Sequence, residues 1–200
     1  MDNVEYWEKF YSSDEASKLT SPSDFAVFTD QYLIRKYPER NIKLLDLGCG
    51  NGRDTFFFDG QGYSEVRGID IVCPANQIFT QGDVIENIQK SDVFYLRFFA
   101  HAIEESLLDQ LLEKICELVI DDELIFIETR STKGSSELEK CMVNFKSSIG
   151  EIYFRMLYSL EYLRAKVEKN FTIIECTEGM GLAVYEGEDP FVIRLVLGKL

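Results

Sequence analysis

"LLDLGCGNGRD", Leu44 to Asp54, decides how the rest of the chain is read. It continues the apolar run "IKLLDLG", which glycine stops abruptly, as a buried strand is stopped. Asp46 stands near the end of that run. Gly48, Gly50 and Gly52 follow at alternate positions, and "NGRDTFFFDGQG" opens a helix at once. Glycine gives positive φ and lets a ligand approach the backbone closely. A helix N-terminus adds unpaired N–H groups and positive dipole, suited to a carboxylate or phosphate. The stretch therefore reads as strand, ligand-holding loop, helix.

The pattern repeats outward from there. "SEVRGIDI", "NQIFTQGD", "SDVFYLRFF" and "DELIFIETR" read as further strands, and "FTIIECTE" and "PFVIRLVLGKL" as closing strands joined through "YEGEDP". "EESLLDQLLEKICELV" is a strongly periodic helix, and "SPSDFAVFTDQYLIRKYPER" is a second one with Ser23 as its cap and Pro38 marking its end. "YWEKFYSS" reads as a short helix, and Ser135 to Lys169 as helical with a break at Gly150. Alternating strands and helices give an α/β fold: Rossmann-like, doubly wound, with a mostly parallel seven-stranded sheet and an antiparallel edge. Only five residues, "IVCPA", separate Asp70 from the third strand's start at Asn76. A parallel crossover needs a dozen or more, so the helix after the second strand is expected to be reduced. The 200 residues fit one domain, with 1–40 as an N-terminal helical lid or cap and 41–200 as the sheet core.

A net charge of −14 speaks against a general nucleic-acid binder, whose affinity comes mainly from Lys and Arg. No apolar run approaches a membrane span, and the start lacks the basic-then-apolar order of a signal peptide. The five cysteines are scattered, with no CxxC pair. That excludes a disulfide framework and fits a reducing cytoplasm. The carboxylates show no convincing metal-ligand spacing, so no metal is expected. The oligomeric state is left open, a homodimer included.

The glycine spacing is GxGxG with an acid two residues upstream, not the GxGxxG of dinucleotide loops. It resembles motif I of the class I S-adenosylmethionine-dependent methyltransferases. The resemblance implies S-adenosylmethionine as cofactor. It places the loop Gly48, Cys49, Gly50, Asn51, Gly52, with Asp54 just beyond, beneath the methionine part, and Asp46 toward its amino group. It implies Asp70, with Ile71 beside it, on the ribose hydroxyls, and Asp83 and Val84 at the adenine. Arg97, inside the fourth strand, would pair with a rim carboxylate or with the cofactor's own.

The one histidine, His101, leaves the fourth strand at the carboxyl edge of the sheet, where open α/β sheets bind ligands. A neutral imidazole there could take the proton of a hydroxyl acceptor; the competing reading is a residue packing the strand-to-helix turn. Glu128 and Arg130 end the fifth strand on the same rim and complete the candidate catalytic set, although structural pairing suits them equally. The runs "YLRFFAHAIEE", "IETRSTKG" and "GLAVYEGEDPFVIRLV" also resemble a bacterial subgroup of these enzymes found with surface-polysaccharide genes. That resemblance implies O-methylation of a sugar or nucleotide-sugar in capsule or lipooligosaccharide biosynthesis. The chain departs from the subgroup at "YFR", where Tyr153 and Arg155 stand in place of a basic or histidine-led stretch. The N-terminal aromatics Tyr6, Trp7, Phe10 and Tyr11 read as a lid or a docked helix, and resemble some tRNA-modifying members. The alternatives are accordingly a tRNA methyltransferase and a cofactor-binding partner subunit without activity; a nicotinamide dehydrogenase is disfavoured by the loop spacing.

Overall fold

The computed structural model describes residues 3–13, 19–146, 149–185 and 187–200. Helix α1 (Asn3–Tyr11) and helix α2 (Asp24–Lys36) precede strand β1 (Lys43–Leu47) and helix α3 (Arg53–Gly60). Strands β2 (Glu65–Asp70) and β3 (Phe79–Gln81) follow with no helix between them, as the five-residue spacing predicts. A single-turn helix α4 (Val84–Asn87), strand β4 (Val93–Arg97), helix α5 (Glu105–Leu118) and strand β5 (Leu124–Arg130) continue the alternation. Then come β6 (Lys140–Lys146), β7 (Ile152–Tyr158), helix α6 (Leu160–Val167), β8 (Phe171–Gly179) and β9 (Val192–Lys199).

Seven strands form one sheet in the order β3-β2-β1-β4-β5-β9-β8. The first five run parallel, and β9 is antiparallel to both β5 and β8. The order reverses between β1 and β4, the switch point where such sheets bind ligands. This is the Rossmann-like sheet that the alternation predicts.

Period-2 alternation sorts the strands' side chains between two cores. Leu45, Leu47, Phe94, Leu96, Ile125 and Ile127 face α5 and α6, against Leu108, Leu111, Leu112 and Leu163. Leu44, Val66, Val93, Tyr95, Leu124 and Phe126 face α2 and α3, against Phe25, Leu33 and Phe58. Asp46 falls on the second face by the same alternation, and so turns toward α3.

The segment 135–169 departs from its reading as helix. Lys140–Lys146 and Ile152–Tyr158 pair as a two-stranded antiparallel sheet, with Val143 opposite Arg155 and Phe145 opposite Tyr153; only Leu160–Val167 is helical. The exposure of β6 alternates strictly, residue by residue, a strand's period that the nearly unbranched, mixed polar and apolar composition of "KCMVNFK" obscures. The hairpin is fastened to the main sheet by main-chain bonds: Met156 N–H donates to His101 O (2.9 Å) and Thr132 N–H to Tyr158 O (3.0 Å). Ser147 and Ser148, inside the expected helix, lie outside the described residues, as does Glu186 in the expected turn.

Ser23 links two elements. Its Oγ accepts from Ala26 N–H (3.0 Å), capping α2, and donates to Asp54 Oδ2 (2.7 Å), which Tyr95 also reaches (2.8 Å). All three residues are buried. Ser23→Ala removes the cap and leaves a buried carboxylate short of a donor. We expect a loss of roughly 2 kcal/mol, read as a fall in Tm of roughly 4–8 °C for a domain of this size. A change under about 1 °C would contradict this account of the Ser23 linkage.

Candidate active site

The loop after β1 is built on its glycines. Gly48 has φ of 78° and Gly50 of 53°, left-handed values that cost a residue with a side chain about 1–2 kcal/mol. A Cβ on Gly48 would strike the ring of Phe99, and one on Gly50 the hydroxyl of Tyr11. The N–H groups of Gly48 and Cys49 both donate to Ile69 O (2.8 and 3.2 Å), and Gly50 N–H donates to Asp70 Oδ2 (2.8 Å). Asp70 Oδ1 takes Val72 N–H (3.0 Å). The tip of β2 thus clamps the loop after β1.

These groups open on a cavity of about 910 Å³ at the carboxyl ends of β1, β2 and β4. Of the expected cofactor set, Asp46, Gly48, Cys49 and Asn51 line it at the loop. Asp54, Asp70, Ile71, Asp83, Val84 and Arg97 line it as well. Gly50 and Gly52 shape the loop without lining the cavity. Asp83 caps α4, its Oδ1 accepting from Ile85 and Glu86 N–H (2.7 and 3.2 Å). Asp46 is buried, takes the hydroxyl of Thr55 at 2.6 Å, and is pushed up to about 8 by that burial. Burial also raises Asp70. Asp54 serves mainly as the acceptor of the Ser23 and Tyr95 knot.

The other end of the cavity is cationic and aromatic. Arg97 Nε contacts Glu128 Oε1 at 3.1 Å, and Arg194 Nε contacts its Oε2 at 2.7 Å. Glu128 is fully buried between these two guanidiniums and does not reach the cavity. Of the two readings of Glu128, catalytic rim carboxylate or structural pairing, this placement favours pairing: one negative charge is shared between two guanidiniums. Arg130 does line the cavity, with Nη2 on Glu188 Oε2 at 2.7 Å. Phe98, where β4 leaves the sheet, holds φ of 57° and packs its ring 4.9 Å from the His101 imidazole.

His101 lines the cavity and is almost wholly buried. Its Nδ1 accepts the N–H of Arg130 (3.2 Å) and lies 3.3 Å from Thr129 Oγ1. That assigns the ring proton to Nε2. Burial first, then the charges of Arg155, Arg130 and Arg97, hold its pKa well below the usual 6.5, so the imidazole is neutral.

Two sets of lining residues escaped the sequence reading. Phe145 and Lys146 come from β6, where a helix was expected. Alternating residues around "NFK" and "YFR" were the available signal. Tyr11 was read only as part of an aromatic face; α1 in fact lays it against Gly50, with Tyr6 stacked on Tyr153 at 4.1 Å.

No protein-family model and no curated protein matches the chain. Solved structures do. An S-adenosylmethionine-dependent methyltransferase from Methanosarcina mazei has a TM-score of 0.68 at 15% identity, over 84% of this chain and 97% of that one. The 1,6-didemethyltoxoflavin-N1-methyltransferase of Burkholderia thailandensis, crystallised with 1,6-didemethyltoxoflavin and S-adenosylhomocysteine, has 0.70 at 17%, over 97% and 87%. A glycopeptide N-methyltransferase complexed with S-adenosylmethionine has 0.63 at 12%, over 91% and 96%. At these identities the likeness is one of fold: the chain has the architecture of these methyltransferases. Among the described residues no helix is long and apolar enough to cross a membrane, and no cluster of His, Cys, Asp or Glu is placed to hold a metal ion.

The raised pKa of Asp46 carries a sign. The unfolded chain loses this proton near 3.8 and the folded chain keeps it to about 8, so stability from this group falls as pH rises through that window. Asp46→Asn removes the penalty and keeps the shape. Its Tm relative to the parent is expected to climb steadily from pH 5 to pH 8; a difference independent of pH would contradict the buried, protonated carboxyl.

Proposed function

We propose that the chain is an S-adenosylmethionine-dependent methyltransferase acting on a small molecule. The observation that carries this reading is the clamped loop, with Gly50 N–H on Asp70 Oδ2 beneath a 910 Å³ cavity at the switch point of the sheet. Gly48 and Gly50 keep side chains off the loop backbone where Phe99 and Tyr11 already lie close, so an amino-acid tail can lie along it once the Tyr11 ring moves aside. In this reading the Gly48–Asn51 backbone and Asp46 hold that tail, each oxygen of Asp70 keeps a lone pair for a ribose hydroxyl, and Asp83 and Val84 border the base. Acids at this end also suit a cationic ligand. When bound, S-adenosylmethionine supplies an electrophilic methyl group.

The residues of the chain then hold the acceptor in line and keep water out. Tyr6, Trp7 and Tyr11 of α1 roof the cavity, so the proposed lid is α1, while α2 is part of the packed core. Alignment of acceptor and methyl supplies much of the rate. His101, neutral and with Nδ1 already accepting a bond, acts as a positioning residue; to serve as base it would have to shift its proton to Nδ1 and give up the Arg130 N–H. The acceptor we propose is a sugar or nucleotide-sugar hydroxyl, as the subgroup resemblance implies. N-methyltransferases share the fold, so the O-methyl assignment rests on that resemblance. The acidic balance favours a small acceptor over RNA, and the chain is proposed to work in the cytoplasm.

A thermal-shift comparison tests the cofactor. S-adenosylhomocysteine at about 100 times its Kd is expected to add roughly 2.7 kcal/mol of stability, and NAD none; stabilisation by NAD alone would overturn the reading. For His101, the Asn variant is expected to keep kcat within about tenfold and to leave the kcat profile between pH 6 and 8 unaltered. A loss of about 10²-fold or more would make His101 the base after all.

A further inference from the structure

The β6–β7 hairpin brings a second arginine to the acceptor end of the cavity. Arg155 lies two residues beyond Tyr153 on β7, and Met156, next to it, bonds to His101 O. Its guanidinium sits 4.2 Å over the ring of Phe145 and 4.9 Å over that of Tyr153. Arg130 is also within reach of the Phe145 ring, at 5.7 Å. Two guanidiniums therefore converge on one aromatic ring, both lining the same cavity.

Their bonding is incomplete. The Nε atoms of Arg130 and Arg155 are both buried without a hydrogen-bond partner among the described residues. Arg155 Nη2 reaches the Tyr153 hydroxyl, and no described carboxylate lies within ion-pair distance of Arg155, although the charge of Glu188 acts on it from farther off. Arg130 has Glu188, whose side chain is 69% exposed, and such exposed pairs contribute little. Glu128 is already divided between Arg97 and Arg194. A buried donor left unmade costs about 1–3 kcal/mol, and burial together with the charge of Arg130 lowers the pKa of Arg155. Neighbouring buried cations with free donors are costly unless an anion completes them. The guanidinium fork matches the two-oxygen geometry of carboxylate and phosphate.

We propose that Arg155 and Arg130 form an anion subsite, so that the methyl acceptor carries a phosphate or carboxylate group bound beside Phe145. The inference names the acceptor class within the methyltransferase reading. The geometry of the anion subsite does not depend on the cofactor. A nucleotide-sugar phosphate and a sugar-acid carboxylate share the required chemistry.

Calorimetry on the full chain tests it, with inorganic pyrophosphate and malonate as probes, each titrated with and without S-adenosylhomocysteine. At least one probe is expected to bind saturably near one per chain; the tighter of the two identifies phosphate or carboxylate. Arg155→Gln should weaken it by about tenfold or more while changing S-adenosylhomocysteine affinity by less than about threefold. Arg155→Lys keeps the charge without the fork and should weaken it severalfold, which serves if the Gln variant does not fold. Arg164→Gln, on the exposed face of α6, should leave it unchanged. Absence of saturable binding by either probe up to about 10 mM, or equal weakening by Arg164→Gln, overturns the subsite even where S-adenosylhomocysteine binds. Anion binding that follows this pattern without S-adenosylhomocysteine binding would uphold the subsite and defeat the methyltransferase reading.

Discussion

One hydrogen bond, from the Gly50 amide to Asp70, sets the geometry on which the molecule's chemistry depends. It joins the loop that leaves β1 to the tip of the neighbouring parallel strand. The loop takes its left-handed turns at Gly48, Gly50 and Gly52, which have no side chain to strain. The clamp in turn requires β2 to end on an acid in register with that loop. Asp46 pairs with Gly68 one residue below the strand's last pairing, so Asp70 stands two residues farther along the sheet than Asp46. Burying one carboxyl and satisfying the other with amides leaves an acidic but ordered floor.

Charge is divided along the cavity. Asp46, Asp54 and Asp70 gather at the glycine loop, with Arg53 beside them, and Arg97, Arg130 and Arg155 line the cavity from β4, β5 and β7. Arg97, Glu128 and Arg194 form a buried triad that ties β4 to β5 and β9. Breaking such a triad would strand a buried charge. Arg155 has no such arrangement. A cavity of this kind suits ligands of opposite charge at its two ends, a cation over the loop and an anion under the hairpin.

The fold was legible in the sequence wherever a local rule acted alone. Short apolar runs bounded by glycine or charge became the parallel strands, and Ser23 took up its capping role. The missing helix after Asp70 could be read from chain length alone. The residues that line the cavity at the glycine loop were legible for the same reason: the acids end strands beside that loop. Legibility failed where long-range pairing decided the outcome. The hairpin Lys140–Tyr158 looks helical because polar and apolar types intermix along it: β6 alternates in exposure, while β7 is half-buried or buried along most of its length. The pairing of Arg97 with a rim carboxylate was legible, but sequence alone does not say that Arg194 comes from β9 to share Glu128. The state of His101 depends on which main-chain amide faces its ring, which only the pairing of loop and strand determines.

The most direct measurement is a crystal structure of the chain grown with S-adenosylhomocysteine. The account predicts density along the Gly48–Asn51 backbone, with the ribose hydroxyls on Asp70 and the Tyr11 side chain shifted from Gly50 to admit it. Crystals from saturating ligand with that loop empty, or with the ligand held elsewhere on the surface, would contradict it.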